Sequence, residues 1–151
     1  MKQANSTHVK RKALLFVLLA ALLLTGAILL RDCAGTQSVS TPQGREAFLR
    51  KLGWEIDLSS EDVRTVQLPQ SLDGQIARYN EVQLSQGYDL SSHLGEQCKQ
   101  YCYLVTNYPS EGQTVLATLY VQGDQVIAGD LHSTALDGFL HGLHMTTEEE
   151  L

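Results

Sequence analysis

The fold is decided by residues 97–133, which read QCKQYCYLVTNYPSEGQTVLATLYVQGDQVIAGDLHS. Over three segments of this stretch apolar and polar residues alternate, and a period of two is typical of half-buried β-strands. The loops between the segments, Pro109–Gly112 and Gln122–Asp124, have the Pro, Gly and Asp composition of hairpin turns. The pattern predicts a three-stranded antiparallel meander with Ile127 and Leu131 facing inward on its last strand. The predicted strands are Gln97–Asn107, Thr114–Val121 and Gln125–Ser133.

Upstream of the meander, two stretches carry helical signals. Thr41 and Pro42 suit the cap and the first turn of a helix, and Gly53 suits the residue that follows its end. A helix is therefore predicted from Pro42 to Leu52. Apolar residues spaced three to four apart predict a second helix over Ser71–Gln86.

The residues between these helices have extended character. Trp54–Leu58 alternates like a half-buried strand, Ser59–Asp62 is predicted as a turn, and Val63–Leu68 resumes extended structure. Two helices segregated onto one face of an antiparallel sheet that ends in the meander make a small α+β domain. Residues 136–143 are predicted to be a loop or short helical turn that packs its apolar side chains on the sheet.

The most apolar segment lies outside this domain. Ala13–Leu30 carries no charge and, as a helix, rises about 27 Å, close to the roughly 30 Å hydrocarbon thickness of a bilayer. Lys10, Arg11 and Lys12 directly precede it, so the positive-inside rule keeps the N-terminus in the cytoplasm and the following domain outside. We expect a cytoplasmic basic flank (1–12), a transmembrane helix (13–30), a flexible tether (31–42) and an extracytoplasmic domain (43–151).

Two other interpretations of the N-terminal segment stay open. A cleaved signal peptide has an apolar run of about 7–15 residues and small residues at its cleavage site, whereas Asp32-Cys33-Ala34 places an acid there. Cys33 also suggests a lipoprotein, but Arg31 and Asp32 stand where such signals carry small or apolar residues. The expected localisation is the cell membrane, with secretion after signal cleavage as the alternative.

Charge is divided unevenly along the chain. The formal net charge of all 151 residues is −6, whereas residues 43–151 contain six basic and sixteen acidic residues, a net charge of −10. A domain with this charge is repelled by phosphate backbones and anionic lipid surfaces, so we expect no nucleic-acid partner. The length also excludes a multidomain enzyme and a polytopic transporter.

Four runs of the domain carry a recognisable pattern: FLRKLGWE (48–55), YNE with QGYDL (79–81 and 86–90), YLVTNYP (103–109) and LDGFLHG (136–142). Together, over most of residues 45–143, they resemble the Domain of Unknown Function 4830 family of anaerobic, clostridial-type Gram-positive bacteria. The resemblance implies a small domain behind a membrane anchor in such a bacterium. It implies no activity and no catalytic residue.

The three cysteines have different expected roles. Cys98 and Cys102 lie on one predicted strand, four residues or about 13 Å apart, and a disulfide needs Cα atoms within about 7 Å. We interpret both as small residues that pack in the sheet, with a redox role as the alternative. Cys33, on the tether, leaves dimerisation through an intermolecular disulfide open.

Common catalytic motifs are missing from the sequence: it has no G-x-G-x-x-G, P-loop, H-E-x-x-H or G-x-S-x-G. One group near the C-terminus combines residue types used in zinc sites and in acid–base catalysis. Its spacing matches no ligand motif, so no metal or other cofactor is expected, and we interpret these residues as polar side chains on an exposed rim. An interaction surface and a metal or acid–base site are the alternatives. For His141, a hydrogen bond to backbone carbonyls that fixes the closing loop is a further alternative. The group is Asp130, His132, Asp137, His141 and His144.

Four tyrosines near the predicted strands are the other candidate site. Aromatic residues are favoured in sheets, so packing is one interpretation. A partly exposed aromatic patch that binds an extracellular protein, peptide or glycan is the other. The tyrosines are Tyr101, Tyr103, Tyr108 and Tyr120.

These observations point to a membrane-anchored extracytoplasmic binding or accessory domain without a catalytic motif. The alternative is a metal-dependent or acid–base enzyme that uses the C-terminal His/Asp group.

Overall fold

The computed structural model describes residues 38–109 and 112–144. In this part of the chain, two α-helices, a short 3-10 helix and five strands form a small α+β domain. The strands make one antiparallel sheet in which each pairs with its neighbour in sequence. The elements are α1 (Pro42–Lys51), β1 (Ile56–Gln67), α2 (Gly74–Leu84), the 3-10 helix (Leu90–His93), β2 (Gln97–Val105), β3 (Val115–Gln122), β4 (Gln125–Ser133) and β5 (Leu140–His141).

Helix α1 begins where the sequence predicts. The Thr41 hydroxyl accepts a hydrogen bond of 3.1 Å from the Gly44 N–H, and Pro42 occupies the first helical position, where a missing N–H costs nothing. Gly53 follows the helix with a φ of 93°, a left-handed conformation that glycine adopts without strain. The predicted helix is therefore confirmed to within one residue.

A buried polar network ties α1 to the sheet. Arg45 is 2% exposed. Its Nε donates to the Tyr103 hydroxyl at 2.6 Å, and its Nη2 donates to the Glu61 carboxylate at 2.7 Å. The Tyr103 hydroxyl also donates to Glu61, and the guanidinium carbon lies 3.6 Å from the centroid of the Tyr101 ring. The arginine and the carboxylate are thus both paired, which offsets the cost of burying charge.

Strand β1 contains the segment that the sequence predicts as a turn. Ser59–Asp62 lies inside one continuous strand, so the prediction of a turn is wrong. The register with β2 shifts at this point, and four residues of β1, 58–61, stand opposite the single residue Tyr103. The Ser60 hydroxyl accepts the Leu104 N–H at 2.8 Å. This side-chain bond replaces a ladder bond, so residues typical of turns are accommodated as a bulge within a strand.

The three-stranded meander over residues 97–133 is confirmed. The register of β3 with β4 shifts once, where Ile127 is left without a pairing partner between Val126 and Ala128. This bulge turns Ile127 to the same core as Ala128 and away from that of Leu131. The prediction that Ile127 and Leu131 share a face is therefore wrong, because strict alternation fails at a bulge.

The two faces of the sheet carry separate hydrophobic cores, each with its own helix. Residues paired across neighbouring strands have side chains on the same face. Leu49 of α1 and Trp54 pack on the face that carries Tyr103, which we call the first face. Tyr79 of α2 packs on the opposite, second face, which carries Tyr120. The prediction that both helices lie on one face is wrong, since apolar periodicity marks the buried side of a helix but not the sheet face that receives it.

Helix α2 is shorter than predicted. It spans Gly74–Leu84 rather than Ser71–Gln86. Asp73 has the extended backbone of a cap residue, with a φ of −134°, so residues 71–73 are excluded from the helix. Gly87, with a φ of 84°, turns the chain away after the last turn.

Two glutamine side chains at the C-terminal end of this segment bind the edge of β4. The Gly129 N–H donates to Gln83 Oε1 at 2.8 Å, and Gln86 Nε2 donates to the Gly129 carbonyl at 3.1 Å. Gln86 Oε1 also accepts the Leu143 N–H at 2.5 Å. These side chains, which we call the glutamine clamp, supply hydrogen bonds to a part of β4 that does not pair with β5.

Residues 136–143 partly join the sheet instead of forming only a loop or helical turn. Leu140–His141 forms β5, antiparallel to β4, which the sequence does not predict. Leu143 is fully buried in the core on the first face, whereas Leu136 is fully exposed. The predicted packing of this segment on the sheet is therefore right for Leu143 and wrong for Leu136.

Neither helix in residues 38–109 and 112–144 is long and apolar enough to cross a membrane. The predicted transmembrane helix (13–30), its basic flank (1–12) and Cys33 lie outside the described residues. Cys98 and Cys102 are free thiols, as their spacing on one strand predicts. Cys98 is buried in the core of the second face, in agreement with a packing role.

Candidate functional site

A groove opens on the second face of the sheet, beside α2. Its volume is about 550 Å³, within the range of sites that bind small molecules. Helix α2 forms one wall, and strands β2 to β5 form the floor and the opposite wall. The apolar lining includes Ile76, Val82 and Leu140, and the charged or titratable lining includes Arg78, Asp130 and His132.

The polar end of the groove is built around a buried carboxylate. Asp130 is 3% exposed, and its two oxygens have different partners. Oδ1 lies 2.8 Å from His132 Nδ1, and Oδ2 accepts a hydrogen bond of 2.6 Å from the Tyr79 hydroxyl. Asp130 and His132 meet because residues two apart on a strand point to the same face. Tyr79 reaches the same carboxylate from α2, so both oxygens are satisfied.

His132 contacts the carboxylate on one side and the groove on the other. The hydrogen bond to Asp130 raises the pKa of the imidazole above its ordinary value, partial burial opposes the rise, and the charge of the carboxylate adds to it. At neutral pH the ring therefore carries more positive charge than a free histidine. While Nδ1 is held by Asp130, Nε2 has no hydrogen-bond partner within residues 38–109 and 112–144.

Two tyrosines separate this groove from a smaller cavity. The rings of Tyr79 and Tyr120 meet edge to face with centroids 6.1 Å apart. Both also border a cavity of about 160 Å³ whose other walls include Leu68 and Leu90. Burial and the neighbouring Asp130 carboxylate raise the pKa of Tyr79, so its hydroxyl stays protonated and remains a donor. The two cavities are thus neighbours that share this pair of rings as a wall, and the smaller one is lined mainly by apolar side chains.

A thiol lies near this polar end but is not activated. Cys102, Thr118 and Asp130 form one row across β2, β3 and β4. The Cys102 Sγ is 3.6 Å from the Thr118 Oγ1, and burial raises the pKa of the thiol. Because the thiolate is the nucleophilic form, a thiol with a raised pKa is a poor nucleophile. Thr118 and Asp130 of this row therefore line the groove with hydrogen-bonding groups, whereas Cys102 does not have the lowered pKa of a catalytic cysteine.

The structure separates the five predicted His and Asp candidates. Asp130 and His132 are in contact. His141 projects from the first face, since it stands opposite a residue of the first core in β4, and Asp137 and His144 are exposed. Among the residues that the structure describes, no three His, Cys, Asp or Glu side chains are grouped as a metal site requires.

His141 belongs to an aromatic cluster on the first face. Its ring stacks on Phe139 at a centroid distance of 5.2 Å and on Tyr108 at 5.9 Å. Tyr108 in turn stacks on Trp54 at 5.6 Å. His141 Nδ1 lies 2.6 Å from the Gly142 carbonyl oxygen. The predicted alternative in which His141 binds a backbone carbonyl and fixes the closing loop agrees with these contacts.

The four predicted tyrosines do not form one patch. Tyr101 and Tyr103 lie on the first face, where both contact Arg45, and Tyr108 belongs to the aromatic cluster. Tyr120 lies on the second face. Packing within the sheet is thus the role of Tyr103, which is fully buried, whereas Tyr120 borders the groove.

Sequence patterns identify Asp130 and His132 but not their neighbours on α2. Arg78 and Tyr79 lie inside a predicted helix, where a charged residue and an aromatic residue resemble any amphipathic surface. A buried carboxylate needs hydrogen-bond donors, and in the structure Tyr79 supplies one of them from α2. No local pattern in the sequence marks Tyr79 as this donor.

A comparison of the sequence with family models identifies the family. Residues 48–131, more than half of the chain, match the model for the Domain of unknown function (DUF4830). The chain belongs to the DUF4830 family. The match confirms the resemblance seen in the sequence, and in this DUF4830 chain it runs from α1 to β4 and includes α2 and Asp130. No curated protein and no solved structure matches the chain.

Proposed function

We propose that this DUF4830 chain is a membrane-anchored extracytoplasmic binding domain and that the groove on the second face is its ligand-binding site. The observation that carries the proposal is a cavity of about 550 Å³ in which a few polar groups converge on apolar walls. Binding sites for small ligands have this composition, since apolar walls supply affinity and placed polar groups supply orientation.

Exposed apolar side chains at the groove support the proposal. Ile76 is 37% exposed and Leu140 is 48% exposed, and both line the groove. Covering apolar surface is worth roughly 25 cal/mol per Å², so a ligand that lies over these residues gains free energy. The polar end, where His132 presents Nε2, then sets the orientation of the ligand.

The anchor and the location form the second half of the proposal. The uncharged segment 13–30 and the basic residues before it support a single span with the domain outside. On intact cells, an impermeant thiol reagent is expected to label Cys33, and a Cys33→Ser variant serves as the control for labelling of Cys98 and Cys102. Failure to label Cys33, together with resistance of residues 43–151 to surface protease, refutes the outside location.

The groove is tested by photo-crosslinking in native membranes. A photoreactive phenylalanine analogue replaces Gln75, an exposed residue of the groove, and in a matched control it replaces Glu81, which is exposed on α2 but does not line the groove. We expect an adduct at position 75 and none at position 81. Adding Leu140→Asp is expected to abolish the adduct. Equal crosslinking at both positions, or an adduct indifferent to Leu140→Asp, refutes the groove as the binding site.

Acid–base catalysis in the same groove is the second candidate function. Its support is the hydrogen-bonded pair of Asp130 and His132, because a carboxylate on Nδ1 orients an imidazole whose Nε2 is free to exchange a proton with a substrate. Mass spectrometry of a groove ligand before and after incubation separates the two functions. Conversion by the wild type and not by His132→Gln favours catalysis, whereas an unchanged ligand with both favours binding alone.

A further inference from the structure

We propose that the groove takes an aliphatic carboxylate. Its carboxylate group is held by Arg78 and His132, and its hydrocarbon chain lies along Ile76 and the Tyr79–Tyr120 pair. This inference rests on the proposed binding function and adds the chemical class of the ligand.

The groove does not share the strong negative charge of the domain. Residues 43–151 have a net charge of −10, yet the lining contains Arg78 and His132 and one carboxylate, Asp130. That carboxylate is 3% exposed, and each of its oxygens already has a protein partner. An anion entering the groove meets the guanidinium of Arg78 and, when the ring is protonated, the Nε2–H of His132.

Arg78 supplies the stronger of these donors. It is exposed on α2 and forms no ion pair with any residue in the described part of the chain. By contrast, Arg45, Arg50 and Arg64 each pair with an acid. A guanidinium without a protein partner beside a cavity fits a carboxylate, which it can bind through two parallel hydrogen bonds.

The apolar half of the site fits a hydrocarbon chain. From the polar end, the wall continues through Ile76 and the rings of Tyr79 and Tyr120. The same three side chains border the cavity of about 160 Å³ that leads towards Leu68 and Leu90. A ligand with an unbranched apolar body packs along this wall, whereas the polar hydroxyls of a sugar would meet mainly hydrocarbon there.

Protonation of His132 makes the binding pH-dependent. Asp130 on β4 contacts its ring. The other charged or titratable groups that line the groove with it are Arg78 and Tyr79 on α2 and Tyr120 on β3. A protonated ring donates from Nε2 to the ligand, whereas a neutral ring whose Nδ1–H is bound to Asp130 presents a lone pair that repels a carboxylate. Affinity is therefore expected to fall as the pH rises through the raised pKa of His132.

The test is a calorimetric titration of sodium octanoate into the full-length chain in lipid nanodiscs, with empty nanodiscs as the blank for partitioning. We expect saturable binding that Arg78→Gln weakens about tenfold or more, as loss of a charge-assisted contact does. Arg78→Lys keeps the charge and is expected to restore part of the affinity. Arg64→Gln, which removes an exposed arginine outside the groove, is the matched control and is expected to change affinity less than about twofold.

Three results overturn the carboxylate assignment: no octanoate binding, equal affinity for octanoate and the uncharged 1-octanol, or equal effects of Arg78→Gln and Arg64→Gln. The crosslink at position 75 decides separately whether the groove binds anything. A groove-specific crosslink without octanoate binding refutes the ligand class alone, whereas its absence refutes the binding function itself.

Discussion

The glutamine clamp predicts that two similar substitutions have unequal effects on stability. Gln86→Met keeps the length of the side chain but removes the partner of the Gly129 carbonyl, at 3.1 Å, and of the Leu143 N–H, at 2.5 Å. Gly129 and Leu143 are both buried. A buried backbone group left unpaired costs about 1–3 kcal/mol. We therefore expect Gln86→Met to lower the free energy of unfolding by about 2–6 kcal/mol.

Gln83→Met is expected to cost far less, although Gln83 is the more buried of the two. Its Oε1 accepts the Gly129 N–H at 2.8 Å. Its Nε2, however, is the one buried side-chain polar atom of the described residues without a hydrogen-bond partner. The substitution removes a favourable bond and an unpaired amide together, and each effect amounts to about 1–3 kcal/mol with opposite sign. The net change is expected to stay within about 1 kcal/mol of the wild type.

The comparison is measured by urea unfolding of the full-length chain in an amphipathic polymer. Fluorescence of Trp54, the single tryptophan, reports the transition because it is 2% exposed and its indole N–H donates to the Leu143 carbonyl. The free energy of unfolding must fall with urea concentration at the same slope in the wild type and in both variants, because only then do the midpoints report stability. Equal losses of unfolding free energy for Gln83→Met and Gln86→Met would contradict the unequal roles of the two side chains.

Three further predictions use the same unfolding measurement. Gly129→Ala would place its Cβ 2.5 Å from the Leu143 Cδ1, so we expect a loss of about 1–3 kcal/mol from overpacking, and a neutral result would contradict the close packing there. Tyr103→Phe removes the buried hydroxyl that Arg45 binds, and a loss of about 1.5–3 kcal/mol is expected; an unchanged midpoint would show that the network contributes nothing to stability. The pKa of His132 is raised in the folded protein. The stabilisation that protonated His132 gives is therefore complete below the ordinary histidine pKa of about 6.5, and it is lost as the pH rises through the raised value. The stability difference between wild type and His132→Gln should therefore narrow with rising pH in that window, and a constant difference would count against the bond to Asp130.

The meander could be predicted from the sequence because its signals are local. Alternation in residues 97–133 and the turn at Gly123 both act between neighbouring residues, and the sheet follows that order. The start of α1 was predictable for the same reason, since Thr41 and Pro42 cap the helix within one turn. Local patterns therefore account for the element types of the meander and of α1, and for the contact between Asp130 and His132, which lie two residues apart.

The features that could not be predicted depend on contacts between distant residues. Ser59–Asp62 has turn composition, yet it stays in a strand because Ser60 and Glu61 find partners on β2 and α1. The opposite placement of the two helices and the pairing of β5 are also settled by packing, which no local periodicity encodes. The wall of the groove that α2 forms also depends on contacts between distant residues, since Tyr79 lies 51 positions from Asp130 in the sequence.

Strand β1 has a consequence for assembly between chains. It is an edge of the sheet, and no strand among the described residues pairs with its outer side. A twelve-residue free edge is a template on which another chain can add a strand and start aggregation. The bulge at 58–61 breaks that edge into two short stretches, and the charged side chains of Asp62 and Arg64 follow directly after it. The irregularity that lets Glu61 reach Arg45 thus also makes this edge a poorer template for a strand of a neighbouring copy.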